Sequence, residues 1–268
     1  MNTGQLEPEL RGGVLTCVVS DNKKGHSLSG TRMKLAVAAL SDVHLPSSPI
    51  RAILVRGQDG TFCNGGDVTA FSSAEDPATY IGDLAHQFHT FVRTLTQAPV
   101  PVIAAAQGWA AGAGMSIICA ADVIVGGPST SFRPAYSGIG LSPDGGMTWT
   151  LPRLVGFAKA RDILLTNSSL RGRSALDAGL ITRYVEDDQI LSTADQIAHD
   201  MSMQSRDALA ATKSLLWESQ TNSFSVQLDR EAASIAQRAG STDGIEGVAA
   251  FIEKRKPSYI QPANPGAV

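Results

Sequence analysis

Two glycine-rich segments hold the residues best suited to chemistry. The first is Phe62-Cys63-Asn64-Gly65-Gly66-Asp67-Val68, just after an apolar strand-like run. The second is Gln107-Gly108-Trp109-Ala110-Ala111-Gly112-Ala113-Gly114, between such a run and a short apolar helical one. Small residues let the backbone approach a ligand closely. A helix start presents N–H groups without intrahelical acceptors, at the positive end of the dipole. Two such segments can aim N–H groups at one oxygen, the arrangement that stabilises an oxyanion. The same residues would also serve as tight turns in a packed core, and residue types alone do not separate the two. Two titratable side chains stand out beside them. Asp144 follows Ser142-Pro143 and reads as an acid in a first helical turn. His89 lies on the flank of an apolar helical stripe from which it can reach a pocket, whereas His86 points to the opposite face.

The elements that must position these residues alternate. Val14–Ser20, Ile50–Val55, Val100–Ala106 and Val123–Val125 read as strands. Phe132 and Tyr136 fall on a further extended piece, and residues 1–12 form an irregular lead-in. Ser29 caps a helical run to about Leu40, and the segments Pro143–Leu154 and Phe157–Leu165 are expected to be helical. The clearest helix carries Ile81, Leu84, Ala85, Phe88, Phe91, Val92 and Leu95 on one stripe and stops at Pro99 and Pro101. This alternation predicts an α/β layered core. From Ile190 the pattern is helical throughout, over 190–203, 206–220, 224–239 and 243–255, with a loose proline-containing tail after it. The division expected is a core over 1–190 and a helical region and tail over 191–268.

Net charge is −3, from 22 basic and 25 acidic residues, which lacks the basic footprint of a nucleic-acid binder. The three cysteines, Cys17, Cys63 and Cys119, are odd in number and lack C-x-x-C spacing, which fits a reducing cytoplasm rather than a disulfide framework. The acidic start predicts no signal peptide, and no apolar stretch is long enough to span a membrane. Phosphate-loop, zinc-helix, nucleophile-elbow and complete dinucleotide fingerprints are not found, so no metal or resident cofactor is expected.

Taken in order, these segments resemble the crotonase (enoyl-CoA hydratase/isomerase) superfamily over about residues 13–257. The first loop is similar to its F-C-A-G-x-D segment, with Asn64 in place of alanine. The second is similar to N-G-x-A-x-G-G-G, with Gln107 and Ala113 substituting. Ala121-Asp122-Val123-Ile124 follows, then Gly140-Leu141-Ser142-Pro143-Asp144-Gly145-Gly146 and Leu151-Pro152-Arg153-Leu154-Val155-Gly156. The pieces Ala175…Gly179-Leu180-Ile181…Val185 and Phe251-Ile252-Glu253-Lys254-Arg255 match later signatures.

The resemblance implies a spiral of ββα units with a C-terminal helical region that builds trimers, two of which stack into hexamers. It implies an acyl-CoA thioester as substrate, with coenzyme A as part of that substrate. The oxyanion hole falls on the Gly66 and Ala113 N–H groups, with Ser27, Asn64, Gly65, Asp67 and Gly112 lining the substrate path. Lys23, Lys24 and Lys254 are candidates for the CoA phosphates. The two glutamates that handle water in the family's hydratases are here Ser116 and Tyr136, which argues against hydration. Asp144 matches the catalytic aspartate of the family's isomerases, and also the nucleophile of 4-chlorobenzoyl-CoA dehalogenases, in which His89 matches the hydrolytic histidine. The leading expectation is therefore an enoyl-CoA isomerase with Asp144 as base. The alternatives are dehalogenase- or thioesterase-like hydrolysis through Asp144 and His89, and a non-catalytic CoA-binding relative.

Overall fold

A computed structural model describes residues 7–259. The chain opens with an antiparallel pair, β1 (Glu9–Arg11) and β2 (Val14–Val18). Short strands β3 (Ser20–Asp21) and β4 (Ser27–Leu28) lead into α1 (Gly30–Ala39), whose N-terminus Ser29 caps by accepting from Arg32 N–H. Then come β5 (Ala52–Arg56), α2 (Val68–Ser72) and the long α3 (Pro77–Gln97). Strands β6 (Val102–Ala105) and β7 (Trp109–Ala111) precede α4 (Ala113–Cys119). Strands β8 (Val123–Gly126) and β9 (Ser131–Arg133) precede α5 (Met147–Val155) and α6 (Phe157–Thr166). The last part is β10 (Leu170–Arg171), α7 (Gly172–Asp177), β11 (Arg183–Tyr184), then α8 (Ile190–Ser202), α9 (Arg206–Glu218), α10 (Phe224–Ala239) and α11 (Thr242–Ile252).

The strands form a six-stranded sheet in the order β1-β2-β5-β6-β8-β11 and a three-stranded sheet in the order β10-β9-β7. Strands β2, β5, β6, β8 and β11 run parallel. Successive turns of chain thus give one strand to the large sheet, one to the small sheet, and a helix, as β6-β7-α4 and β8-β9-α5 do. This is the spiral of ββα units that the sequence resemblance implies. Alternation along the buried strands sorts side chains to two faces. Ile53 and Val55 join Phe62, Phe88, Phe91, Leu95 and Ile117 in the main core. Ala52 and Leu54 meet Ile103, Ala105 and Val125 under α8, whose Ile190, Ala194 and Ala198 recur every four residues. Each fully buried aliphatic or aromatic side chain contributes about 1.5–3 kcal/mol of transfer free energy.

The stripe on α3 is as the sequence predicts: Phe88, Phe91, Val92 and Leu95 are its buried residues. The helices after Ile190 fall within a few residues of their expected bounds. Three local expectations are corrected. Glu9–Arg11 is a strand rather than irregular lead-in, because it completes the edge of β2. Tyr136 is not extended; it has φ −88° and ψ −53° and starts a short 3-10 turn at Ser137–Ile139. The segment from Pro143 is not helical until Met147, because Gly145 and Gly146 both take positive φ (61° and 80°). Of the expected loose tail, residues 260–268 lie outside the described residues.

Candidate active site

The two glycine-rich loops zip together like strands. Phe62 N–H donates to Gln107 O at 2.8 Å, Cys63 N–H to Trp109 O at 3.0 Å, and Ala111 N–H to Cys63 O at 2.8 Å. The first loop is held from its other side, where Leu28 N–H donates to Gly65 O (2.7 Å) and Asn64 N–H to His26 O (2.9 Å). Asn64 Nδ2 adds a bond to Gly25 O. The second is held by Gly112 N–H to Arg133 O at 3.0 Å.

This interlock explains where glycine is required and where alanine is admitted. Gly112 sits at φ 53°, and Gly65 at φ 95° against Ala111 O. A Cβ on Gly114 would lie 2.3 Å from Cys63 O. Ala113 is the first residue of α4 and has no positive φ, so its methyl group is accepted and its N–H is kept. As a first-turn donor it lacks an intrahelical acceptor. Among the described residues, neither Ala113 N–H nor Gly66 N–H has a hydrogen-bond acceptor within the protein. The phenyl ring of Phe71 on α2 lies where a Gly66 Cβ would be, 2.4 Å from its Cζ, and walls that donor. Nothing in the sequence pattern singled out Phe71.

Beyond the loops, three polar side chains converge on one turn. Tyr136 O–H donates to Asp144 Oδ1 at 2.6 Å. Ser116 Oγ donates to the Asp144 carbonyl oxygen at 2.9 Å and lies 3.3 Å from Tyr136 Oη. Gly145 N–H donates to His89 Nε2 at 3.1 Å, and that nitrogen is 3.8 Å from Asp144 Oδ2. Burial first, then the Asp144 charge and its hydrogen bond, raise the Tyr136 pKa. Tyr136 therefore stays a protonated donor to Asp144 Oδ1, and Asp144 Oδ2 has His89 Nε2 at 3.8 Å. The Asp144 carboxylate caps no helix, since α5 starts three residues later. Ala135, beside Tyr136, holds φ 60° with its N–H on Asn167 Oδ1, a local strain of the kind that clusters at functional sites.

The remaining expected site residues divide. Ser27 is buried next to the first loop. Asp67 accepts Ala70 N–H and caps α2, so its carboxylate is committed to that helix start. Cys63 is buried with its thiol pushed up to about 12 by desolvation, which makes it inert as a nucleophile. Lys23 and Lys24 are exposed on the short 3-10 turn at Asn22–Lys24. Lys254 is exposed beyond α11, with its N–H on Phe251 O. His86 is exposed and bonds Gly82 O of its own helix. No helix among the described residues is long and apolar enough to cross a membrane.

Comparison with known proteins agrees with this architecture. The family model described as enoyl-CoA hydratase/isomerase matches residues 10–262. A 1,2-epoxyphenylacetyl-CoA isomerase of Escherichia coli (strain K12) is 32% identical over 249 residues, 92% of this chain and 95% of that protein. The mitochondrial methylglutaconyl-CoA hydratase of Rattus norvegicus is 29% identical over 259 residues, 95% of this chain and 81% of that protein. The crystal structure of an enoyl-CoA hydratase from Polaromonas sp. JS666 has a TM-score of 0.88 at 30% identity, covering 95% of this chain and 99% of that one. The chain belongs to the enoyl-CoA hydratase/isomerase family, whose enzymes process acyl-CoA thioesters. Its relatives carry the names of both isomerases and hydratases, so the reaction must be argued from the site.

Proposed function

We propose that the protein is an enoyl-CoA double-bond isomerase in which Asp144 moves a proton between carbons of an acyl chain. The observation that carries this is the Asp144 carboxylate with one oxygen held by Tyr136 and the other unbonded. In the proposed step, Oδ2 takes a proton from the carbon beside the double bond. The C–H electron pair forms the dienolate, whose charge develops on the thioester oxygen against Gly66 and Ala113 N–H. The same carboxylic acid then returns the proton at the far end of the dienolate. Hydration is disfavoured because a buried serine and a protonated tyrosine offer no base for water. Hydrolysis through an aspartyl ester would need His89 Nε2 as base, and that lone pair already accepts Gly145 N–H.

Incubation with 3-enoyl-CoA substrates should produce the conjugated 2-enoyl thioester without free thiol. Release of coenzyme A thiol in step with substrate loss would favour the hydrolytic alternative. Binding is expected even for acyl-CoAs that do not react, because the loops and the unpaired N–H groups are complete without the acid–base residues. Calorimetric titration with several acyl-CoAs checks this, and absence of binding to all of them would remove the oxyanion-hole reading.

The protein is also proposed to self-associate, as a trimer or a pair of trimers. Phe224 on α10 and Phe251 on α11 are 80% and 84% exposed, and Ile235, Ile245, Val248 and Ile252 are also bare. Apolar surface of this extent marks an interface. Sedimentation equilibrium should return a multiple of the 28.1 kDa chain mass, and a monomer at micromolar concentration would refute the assignment.

A further inference from the structure

One peptide group in the candidate site is gripped at both ends. The unit joining Asp144 to Gly145 has its carbonyl oxygen on Ser116 Oγ at 2.9 Å and its N–H on His89 Nε2 at 3.1 Å. We propose that His89 and Ser116 are positioning residues that lock this peptide plane and thereby aim the Asp144 carboxylate, and that His89 carries no proton in turnover. The inference rests on the reading of Asp144 as the base.

The turn needs such a lock. Asp144 precedes two glycines in the left-handed region, a conformation from which backbone can rotate with little steric resistance. The only main-chain bond on the Asp144–Gly145 unit among the described residues is a long one, from Met147 N–H at the start of α5 to Asp144 O at 3.3 Å. Rotating that unit would change the Asp144 ψ angle, on which the allowed setting of its side chain depends. The clamps come from opposite sides: Ser116 from α4, buried behind the turn, and His89 from α3. Phe88, adjacent on α3, packs so closely under Gly145 that a Cβ there would meet its ring at 2.3 Å. The turn is therefore seated on α3 by one apolar and one polar contact from consecutive residues.

Proton inventory favours clamp over base. Neutral imidazole has one acceptor nitrogen. At His89 that nitrogen is Nε2, since it receives Gly145 N–H, and the ring proton is then on Nδ1. Its distance to Asp144 Oδ2, 3.8 Å, is too long for a hydrogen bond. For Nε2 to take a proton, the Gly145 bond would have to break and the turn would lose its anchor. Ser116 has one hydroxyl hydrogen and three oxygens in range: Asp144 O at 2.9 Å, Tyr136 Oη at 3.3 Å and Gly112 O at 3.4 Å. The shortest is the peptide carbonyl. An ionised carboxylate at position 116 would have no proton to give it, which makes a hydroxyl the fitting side chain there.

The test uses the full-length protein and its 3-enoyl-CoA isomerisation, with amide hydrogen exchange of the segment 141–147 followed by mass spectrometry. His89→Gln keeps an acceptor, Oε1, at about the reach of imidazole Nε2, but cannot act as a base. His89→Ala removes both. The clamp predicts that His89→Ala lowers kcat on the order of 10²-fold with little change in KM, as a misplaced catalytic group does. It also predicts faster exchange in 141–147 for His89→Ala. His89→Gln should restore most of the kcat and the slow exchange. A His89→Gln protein as inactive as His89→Ala, with a mixed acyl anhydride accumulating on Asp144 as coenzyme A thiol is released, would overturn the proposal in favour of a histidine base. Unchanged kcat and exchange in His89→Ala would equally overturn it. Full turnover by Asp144→Asn would refute the base assignment instead, whatever the exchange at Gly145 shows.

Discussion

Asp144→Asn is expected to abolish turnover while leaving acyl-CoA affinity nearly unchanged. Forming a dienolate requires two separate services. In the proposed mechanism the charge that develops on the thioester oxygen is met by Gly66 and Ala113 N–H, and donors of this kind are each worth about 3–4 kcal/mol in comparable sites. The proton must go to a base, and positioned acid–base groups typically supply roughly 10²–10⁴-fold. Asparagine cannot accept the proton or act as a nucleophile at neutral pH. It should otherwise be a quiet replacement. Its Oδ1 can still accept the Tyr136 O–H now 2.6 Å from Asp144 Oδ1. The peptide clamp involves main-chain atoms of residue 144 and survives the change. Because α5 starts at Met147, no helix cap is lost either. The loss should therefore fall on kcat and not on KM, the signature of an interaction used in the transition state. Steady-state kinetics beside calorimetry on a non-reacting acyl-CoA checks both halves. Wild-type kcat in the asparagine protein would move the base elsewhere.

Much of this arrangement was legible before any coordinates. The α3 stripe, Ile81 to Leu95, has the helical period over about four turns, so its buried face could be read directly. The parallel strands read as short apolar runs, because both faces of that sheet are covered. Both glycine loops were visible as spacing. What escaped was fixed by contacts distant in sequence. Ser142-Pro143-Asp144 has the residue types of a helix start, yet the turn stays open because Phe88, more than fifty residues earlier, occupies the space beneath Gly145. Tyr136 was expected on a strand, but Asn167 holds Ala135 in a left-handed conformation and turns the chain. The capping of α2 by Asp67 was also hidden, because that helix is too short to show periodicity. His89 was recognisable as a flank residue, but its partner is a backbone N–H, and no residue pattern identifies a backbone group.

The second large effect is expected at Gly114, and it contrasts with its neighbour. Gly114→Ala puts a methyl carbon 2.3 Å from Cys63 O and 2.8 Å from Cys63 Cβ. Neither is the free end of a flexible side chain. Cys63 O is the acceptor of Ala111 N–H, and Cys63 N–H is bound to Trp109 O, so the contact can be relieved only by parting the two loops. Overpacking of this type costs typically 1–3 kcal/mol, and more where backbone must move. At about 3 kcal/mol in a domain of this size, Tm should fall by roughly 6–12 °C. Binding should suffer as well, since displacement of Cys63 carries Gly65 and Gly66 with it and moves one of the two proposed oxyanion donors. Ala113→Gly tests the same loop in the other direction. It keeps the N–H and removes a methyl group that the helical backbone already accommodates, so it should cost no more than about 1 kcal/mol, the helix-propensity difference. Thermal melts and acyl-CoA titrations of the two variants, run together, separate loop geometry from the presence of the N–H. If Gly114→Ala melts and binds as the wild type does, the loops are not interlocked through Cys63, and the pairing of Gly66 with Ala113 as one oxyanion site loses its structural basis.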